Sequence, residues 1–434
     1  MTEKSVFSPR ILRPEDANQN WQWDRALASP GFKQVDFETR VDFQRLRKYR
    51  LSRAKNALKN SGLGALILFD VNNIRYITGT KIGEWERDKL CRFALLAGDE
   101  EPFVWDFGSA AVHHQLNCDW LDPNRCLAGM TGMRGTVPPS VGLMKSHAEE
   151  IMSYLKQAGV ADMPIGLDIA ETAMFFELQN AGMNIVDGQQ VMLDAREIKN
   201  IDEITLLNQA ATMVDGVYHM IYEELKPGVR ENDIVALSNQ MLYEMGSDDV
   251  EAINAISGER CSPHPHNFTD RMFRPGDQAF FDILQSYQGY RTCYYRTFNV
   301  GTATSEQNDA YIQCREWLDK AIELIKPGVS TDVVAKAWPK AEEFGFESEM
   351  QAFGLQFGHG LGLALHERPI ISRLVSLENP MEIKTGMVFA LETYCPAKDG
   401  VSAARIEEEV VVTDQGCKVI SLFPADELPI ANRY

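Results

Sequence analysis

Three acidic residues lie inside strongly apolar segments of the sequence, where a charge is costly. Asp282 interrupts AFFDIL, Glu392 interrupts MVFALETYC, and Glu407 opens the acidic run of RIEEEVVV. Each segment has the short, apolar character of a buried strand. A carboxylate in such a strand destabilises the fold unless a partner compensates its charge. Three of them indicate a shared partner, and a metal ion is the simplest one.

A histidine between glycines offers a further ligand for such an ion. His359 lies in GHGLGLALHERP, where the glycines allow close backbone packing at the floor of a cleft. Carboxylates and imidazole suit zinc, manganese, iron or cobalt. His366 follows seven residues later, beyond the reach of a direct strand neighbour, and is expected to have a separate role. The alternative for His359 is an ordinary core or turn histidine.

Other reactive groups flank Asp282. The loop HPHN brings His264 and His266 before its strand, and Cys293 begins the next strand-like run, CYYRTF. A thiolate is a good ligand for zinc or iron, although cysteine also packs as a small hydrophobe. The alternative for the histidines is a loop without a role. For Glu407, within a run of three glutamates, the alternative is a solvated face.

The first half of the chain alternates between helix and strand patterns. An amphipathic helix is predicted over 42–61 and strands over 65–69, 92–98 and 102–107, which together favour a small α/β domain. We place this domain at residues 41–197. Residues 1–40 are polar and irregular with two tryptophans, and are expected to form an arm that contacts a partner subunit.

The second half, residues 198–434, contains a repeat. KPGV occurs at 226–229 and again at 326–329, each time after a predicted helix and before a second one. β-rich sequence follows both units. This indicates an internal duplication, with two α–β halves folded face to face around a cleft.

Composition narrows the class of protein. The chain has 434 residues, 44% of them hydrophobic, and a formal net charge of -19, which argues against a basic nucleic-acid surface. Its eight cysteines form no CxxC pair, so a reducing cytoplasm is expected rather than a disulfide framework. The sequence starts without a secretory apolar region and contains no apolar run of membrane-spanning length. We therefore expect a cytoplasmic protein with a small-molecule substrate.

The order HN, D, GHGLG, HExP, E and RIE resembles the superfamily of creatinase, prolidase, aminopeptidase P and methionine aminopeptidase. The similarity covers the second half, and LFDVNNIRYITGT at 68–80 fits the N-terminal domain of the creatinase and prolidase type. That stretch and the arm are most similar to the dimethylsulfoniopropionate lyase branch. The resemblance implies an α/β (α+β) fold with a creatinase-like N-terminal domain, a pita-bread domain with pseudo-twofold duplication, and a homodimer.

The resemblance also implies roles for individual residues. In metal-dependent members five ligands bridge two metal ions, and the motifs place them at Asp282, Cys293, His359, Glu392 and Glu407. Cys293 stands where the family has its second aspartate. The implied catalytic residues are His266, His366 and Glu392, and the implied substrate-binding residues are His264, Arg405 and Glu407.

Two further positions depart from the lyase branch. That branch has an aspartate two residues before the first ligand, where this chain has Phe280, and a catalytic aspartate where this chain has Leu365. Leucine cannot replace a carboxylate base, which argues against lyase chemistry by that route.

Three functions remain open from the sequence. The first is a creatinase-like hydrolase that cleaves a C–N bond of a small polar or zwitterionic amide, amidine or lactam without a metal, using His266 to move protons. The second is a metal-dependent Xaa-Pro peptidase-like or lyase-like enzyme, with one zinc, iron or manganese ion held partly by Cys293. The third is a non-catalytic binding protein on the same fold.

Overall fold

A computed structural model describes residues 41–83 and 90–433. The described residues from Phe43 onward form one compact unit. The arm predicted over 1–40 lies outside the described residues. None of the helices in the described ranges is long and apolar enough to cross a membrane.

The N-terminal region is built around a six-stranded mixed sheet with the order β4-β3-β2-β1-β5-β6. The first strand is antiparallel to the second and parallel to the fifth. Its apolar side packs against two of the helices, which start at residues 143 and 172. In chain order the elements are α1 (Phe43–Ser61), β1 (Ala65–Leu68), α2 (Val71–Thr78), β2 (Phe93–Ala97), β3 (Phe103–Asp106), α3 (Gly108–Asn117), β4 (Cys126–Ala128), α4 (Leu143–Gln157), β5 (Ile165–Leu167), α5 (Thr172–Asn180), β6 (Ile185–Asp187) and α6 (Gln189–Arg196).

The C-terminal region contains two sheets, with the orders β15-β9-β8-β7 and β11-β10-β12-β13-β14. Its helices are α7 (Ile201–Glu224), α8 (Glu231–Glu244), α9 (Ser305–Leu324), α10 (Thr331–Ala335) and α11 (Glu349–Ala352). Its strands are β7 (Asp249–Ser257), β8 (Gln278–Tyr287), β9 (Tyr290–Val300), β10 (Phe357–Gly360), β11 (Glu367–Ile371), β12 (Val388–Pro396), β13 (Ala403–Val412), β14 (Cys417–Val419) and β15 (Ile430–Ala431).

The predicted duplication is visible in the backbone. After α7, the N–H of Phe273 donates to the carbonyl of Val229 at 2.8 Å, and after α9 the N–H of Ile383 donates to that of Val329 at 2.8 Å. Each bond closes a KPGV turn onto the segment that leads into a long strand. The turns therefore serve the same purpose in both halves, which is to anchor β8 and β12 at matching starting points.

The duplication gives the acidic residues equivalent positions. Asp282 lies nine residues after Phe273, and Glu392 lies nine residues after Ile383. In the ladders, Asp282 pairs with Tyr295 across β8 and β9, and Glu392 pairs with Glu407 across β12 and β13. Each half therefore has an acid and its cross-strand partner at the equivalent position of its sheet.

Strand alternation separates an apolar face from a polar one. In β8, Phe281 and Ile283 join a core with α7 and α8, whereas Asp282 between them points the other way. In β13, Ile406 joins a second core with α9, and its neighbours Arg405 and Glu407 take the opposite face. The helices thus cover the outer faces, and the polar faces are left to the interior between the sheets.

A buried ion cluster joins the N-terminal region to the C-terminal one. Glu367, at the start of β11, accepts from the Lys199 ammonium at 2.9 Å and lies 3.1 Å from the Arg196 guanidinium. Burial raises the pKa of the Glu367 carboxyl, but the Lys199 and Arg196 charges outweigh it and hold that pKa below its usual value. The Glu367 carboxylate also accepts the N–H of Ala364 at 3.1 Å, so this cluster fixes the segment that precedes β11.

Removing one cation from this cluster should destabilise the fold. Lys199→Met leaves the buried Glu367 with Arg196 alone, and we expect the free energy of unfolding to fall by about 3 kcal/mol. Lys384→Met is the control, because Lys384 is half exposed and its pair with Glu197 spans 3.6 Å; it should cost well under about 1 kcal/mol. Urea denaturation of both variants measures the difference, and equal losses would contradict the prediction.

Candidate metal and active site

A cavity of about 300 Å³ lies between the polar faces of the two sheets. It brings together residues that are far apart in the sequence, contributed by β7, β8, β9, β10, β12 and β13 and by three loops. Most of its lining is apolar, with Leu284, Phe357 and Leu365 among the contributors. The predicted site residues that line it are His266, Asp282, Cys293, His359, His366, Glu392 and Arg405.

Three buried side chains form a compact cluster beside this cavity. One ligand atom from each of Cys293, His359 and Glu407 lies within 4.8 Å of the others. The His359 Nδ1 donates to the Gly360 carbonyl at 3.0 Å, which leaves the lone pair of its Nε2 free to bind. Burial and nearby His366 lower the pKa of His359 to about 3, so the ring is neutral.

Two atoms of this cluster lack a partner. The Nε2 of His359 and the Oε1 of Glu407 are buried and make no hydrogen bond within the described residues. Such groups are costly inside a protein unless a ligand satisfies them. One sulfur, one nitrogen and one oxygen ligand are a set that zinc or iron accepts, and catalytic zinc sites commonly have three protein ligands. The cluster therefore fits a single divalent metal ion.

The other two predicted ligands are held by protein groups. Asp282 accepts a hydrogen bond from the Asn254 amide at 3.1 Å, and its second oxygen lies 3.6 Å from the Cys293 sulfur. Glu392 pairs with the guanidinium of Arg405. The structure thus places all five predicted ligands around one space but brings only three of them into the compact cluster.

The pKa values of the buried acids are all raised, and burial is the main cause. Burial raises the pKa of Asp282 to about 6 and that of Glu392 to about 8, and the Arg405 guanidinium counteracts both shifts. Burial and the charges of Glu392 and Asp282 raise the pKa of Glu407 well above its usual value. A divalent cation is the kind of charge that would reverse these shifts.

The run Glu407–Glu409 is buried along its whole length. Glu408 points to the outer side, where its carboxylate accepts from Arg296 and Arg315, each at 2.8 Å. Glu409 points inward, where it accepts from the Cys293 N–H at 2.7 Å. The interpretation of this run as a solvated face is therefore wrong, because β13 is an interior strand with both faces covered.

The predicted histidines take different places. The rings of His366 and His359 lie 4.4 Å apart, centre to centre, so His366 borders the cluster without belonging to it. His266 lines the cavity from an exposed loop. His264 packs against it with ring centroids 4.3 Å apart. All three remain predictions as catalytic or substrate-binding groups.

Sequence reasoning missed three residues of this site. Asn254 supports Asp282, Glu409 supports the backbone of Cys293, and Tyr295 lines the cavity. Tyr295 occupies in the first half the place that Glu407 has in the second, but only the strand ladders show this, since the two residues lie 13 and 15 positions after their acids. The sequence carried no signal for any of the three, because their roles depend on pairing between strands that the sequence leaves unspecified.

Two facing sheets thus bring buried acids and a histidine to one cavity. In a comparison with protein families, residues 50–198 match the Creatinase/Prolidase N-terminal domain, and residues 205–414 match metallopeptidase family M24. The chain belongs to the creatinase/prolidase superfamily. The predicted family and fold class are confirmed.

Individual relatives cover nearly the whole chain. The probable dipeptidase PepE of Mycobacterium tuberculosis is 27% identical over 387 residues, which is 86% of this chain and 94% of that protein. The dimethylsulfoniopropionate lyase DddP of Roseovarius nubinhibens is 24% identical over 398 residues, covering 89% and 87%. The solved structure of a Xaa-Pro dipeptidase from Bacillus anthracis has a TM-score of 0.71 at 19% identity, covers 88% of this chain and 99% of that one, and supports the fold.

The thiol of Cys293 should leave a spectroscopic signature in the metal-loaded protein. With Co²⁺ as the probe, the wild type should show a thiolate-to-cobalt charge-transfer band and bind about one ion per chain. Cys293→Ser should lose the band and bind cobalt at least about 10-fold more weakly. Cys261→Ser is the matched control, because Cys261 is also buried but donates to the Gln278 carbonyl away from the cluster. A band that survives in Cys293→Ser would show that another group binds the ion.

Proposed function

We propose that the chain is a metal-dependent hydrolase that cleaves the C–N bond of a small polar or zwitterionic substrate, with dipeptides as the first class to test. The observation that carries this proposal is the compact cluster of Cys293, His359 and Glu407 with its two unsatisfied atoms. The peptidase names of its relatives support the same chemistry.

Zinc or iron suits the cluster better than manganese, because a thiolate is a soft ligand. A divalent ion bound there would polarise the carbonyl group of an amide and make a water molecule more acidic. Glu409 holds the backbone N–H of Cys293, and the Gly360 carbonyl fixes the ring of His359, so the chain itself orients two of the three ligands.

Arg405 supports recognition of an acidic or polar group on the substrate. Its side chain is 1% exposed and lines the cavity, and its Nε and Nη1 atoms have no hydrogen-bond partner within the described residues. A carboxylate or carbonyl oxygen of the substrate would satisfy them. His264 and Glu407, the other predicted substrate-binding residues, lie beside Tyr295 and in the metal cluster respectively.

His266 and His366 remain as the proton-moving groups. Burial and Arg405 lower the pKa of His266, so its ring can accept a proton at neutral pH. Its place on an exposed loop at the cavity suits transfer to the leaving nitrogen. His366 lies beside His359 and also lines the cavity, so we expect it to contact the substrate. Glu392, the third predicted catalytic residue, is paired with Arg405, so in this proposal the two side chains act as one unit.

A second candidate is the metal-free, creatinase-like reaction. The pair of Arg405 with Glu392 favours it, because the guanidinium already supplies a positive charge among the acids. The lyase alternative is weaker, since Leu365 places an apolar group in the cavity where that branch uses an acid. The proposal also includes a homodimer and a cytoplasmic location. It keeps the predicted division into an arm at 1–40, an N-terminal domain at 41–197 and a catalytic domain at 198–434.

Metal content and turnover separate these functions. Protein purified without chelator should contain about one zinc or iron per chain by elemental analysis and hydrolyse dipeptides such as Ala-Pro. A chelator should abolish hydrolysis, and the metal should restore it. Turnover that survives removal of the metal would establish the creatinase-like alternative. Absence of turnover across dipeptides, amidines and lactams would favour the non-catalytic one.

His266→Ala tests the proton-moving role. The variant should fold normally and keep its metal, while kcat on the dipeptide substrate should fall by about 100-fold or more. His113→Ala is the control, because His113 is exposed on α3 of the N-terminal region and does not line the cavity. Steady-state kinetics and circular dichroism measure both effects. Wild-type turnover in His266→Ala would remove this residue from the mechanism.

A further inference from the structure

A tyrosine hydroxyl lies between the acidic centre and the loop that carries the paired histidines. Tyr295 is 2% exposed, lines the cavity, and pairs with Asp282 across the sheet. The Asn254 amide donates both to the Asp282 carboxylate at 3.1 Å and to the Tyr295 hydroxyl at 3.3 Å. The Tyr295 hydroxyl is therefore linked to Asp282 through the Asn254 amide.

On its other side the hydroxyl meets His264. The Tyr295 oxygen lies 3.1 Å from the His264 Nε2. The Nδ1 of the same ring bonds to the Pro265 carbonyl, which can only accept, so Nδ1 carries the hydrogen. In the neutral ring Nε2 is then an acceptor, and the Tyr295 hydroxyl has two acceptors within reach, this nitrogen and the Asp282 carboxylate; donation to Nε2 is the arrangement that links Tyr295 to the histidine loop. The Pro265 carbonyl thus sets the tautomer of His264, and the bond to Tyr295 fixes the orientation of the ring.

The orientation of His264 is passed to His266. The two rings lie 4.3 Å apart, centre to centre, with 30° between their planes. His264 is packed from other sides by Phe280, at 5.1 Å, and by the Tyr295 ring, at 5.5 Å. His266 itself is on the exposed part of the loop, and the His264 ring is a fixed surface against which it packs.

The Tyr295 ring is held as firmly as its hydroxyl. The guanidinium of Arg405 lies 4.3 Å from the ring centre, a cation–π contact. This contact belongs to the ring and would survive removal of the hydroxyl. The duplication places Tyr295 where the second half has Glu407, so the first half presents a neutral hydrogen-bonding group at the position of a candidate ligand.

We propose that Tyr295 is a positioning residue that acts through His264 to hold His266 against the substrate. This inference rests on the proposed function, in which His266 moves the proton. Asn254 fixes the Tyr295 hydroxyl, Tyr295 fixes the His264 ring, and that ring supports His266. Tyr295 makes no bond to substrate in this arrangement, and the metal cluster does not depend on it.

The test is removal of the hydroxyl alone. Tyr295→Phe should lower kcat on Ala-Pro by about 10- to 100-fold, the usual cost of losing a group that orients an active-site residue. KM should change less than about threefold, and the metal content should stay at the wild-type level. Tyr294→Phe is the matched control, because it removes a buried hydroxyl on the opposite face of β9, bonded to Asp215 at 2.5 Å. It should leave kcat unchanged.

A double-mutant cycle distinguishes positioning from simple loss of stability. Since Tyr295 acts through His264, the pair Tyr295→Phe with His264→Gln should be little worse than His264→Gln alone. Additive losses, or a Tyr295→Phe variant with wild-type kcat, would overturn the proposal. A variant that loses its metal would also overturn it.

A measurement without substrate keeps this inference separate from the proposed function. Selective labelling of the eight histidine rings allows their NMR signals to be followed in each variant. Tyr295→Phe should shift the signals of His264 and His266, whereas Tyr294→Phe should not. If the wild type hydrolyses nothing, the proposed function fails, and unshifted signals would refute the positioning role independently.

Discussion

Buried negative charge is the constraint on which the rest of this site depends. Asp282, Glu392, Glu407 and Glu409 are all buried between two sheets, in a region that water does not screen. Each carboxylate would cost several kcal/mol if left alone there. The chain compensates part of this with Arg405, Asn254 and the backbone N–H of Cys293. Within the described residues, one oxygen of Glu407 and one of Glu409 remain without a hydrogen-bond partner, and the Glu407 oxygen belongs to the same cluster as the free nitrogen of His359.

The internal duplication explains why the acids face one another and why their surroundings differ. The two halves place Asp282 opposite Tyr295 and Glu392 opposite Glu407, and two residues earlier in the second strand of each pair they place Cys293 and Arg405. The halves then diverged chemically. Side chains of the two halves contact each other in the cavity. Cys293 lies near Glu407, and the Tyr295 ring packs against the guanidinium of Arg405. The cavity therefore has one end suited to a metal ion and one end already occupied by a fixed cation.

Much of this could be predicted from the sequence, for identifiable reasons. The KPGV repeat predicted the duplication because proline and glycine punctuate helices in a way that survives divergence. Asp282, Glu392 and His359 stood out because a charged or polar residue in an apolar strand is conspicuous. Glu408 and Glu409 did not, since a run of three glutamates is usually exposed, and only the covering of both faces of β13 makes it buried. Asn254 and the pairing of Arg405 with Glu392 depend on cross-strand register, which local sequence leaves open.

The geometry also separates two tasks that a symmetric site would combine. In the proposed metal site, the Cys293 thiolate would favour thiophilic ions, and Asp282 is held by the Asn254 amide at 3.1 Å on the oxygen that does not face the Cys293 sulfur. Asn254 in turn reaches Tyr295, so the acid that a second ion would need is instead the first support of a hydrogen-bonded path toward the histidine loop. With a thiol at residue 293 and a phenol at residue 295, the proposed centre has a metal end at Cys293, His359 and Glu407 and a proton-handling end at Tyr295 and the histidine loop. The identity of residues 293 and 295, taken together, sets that division.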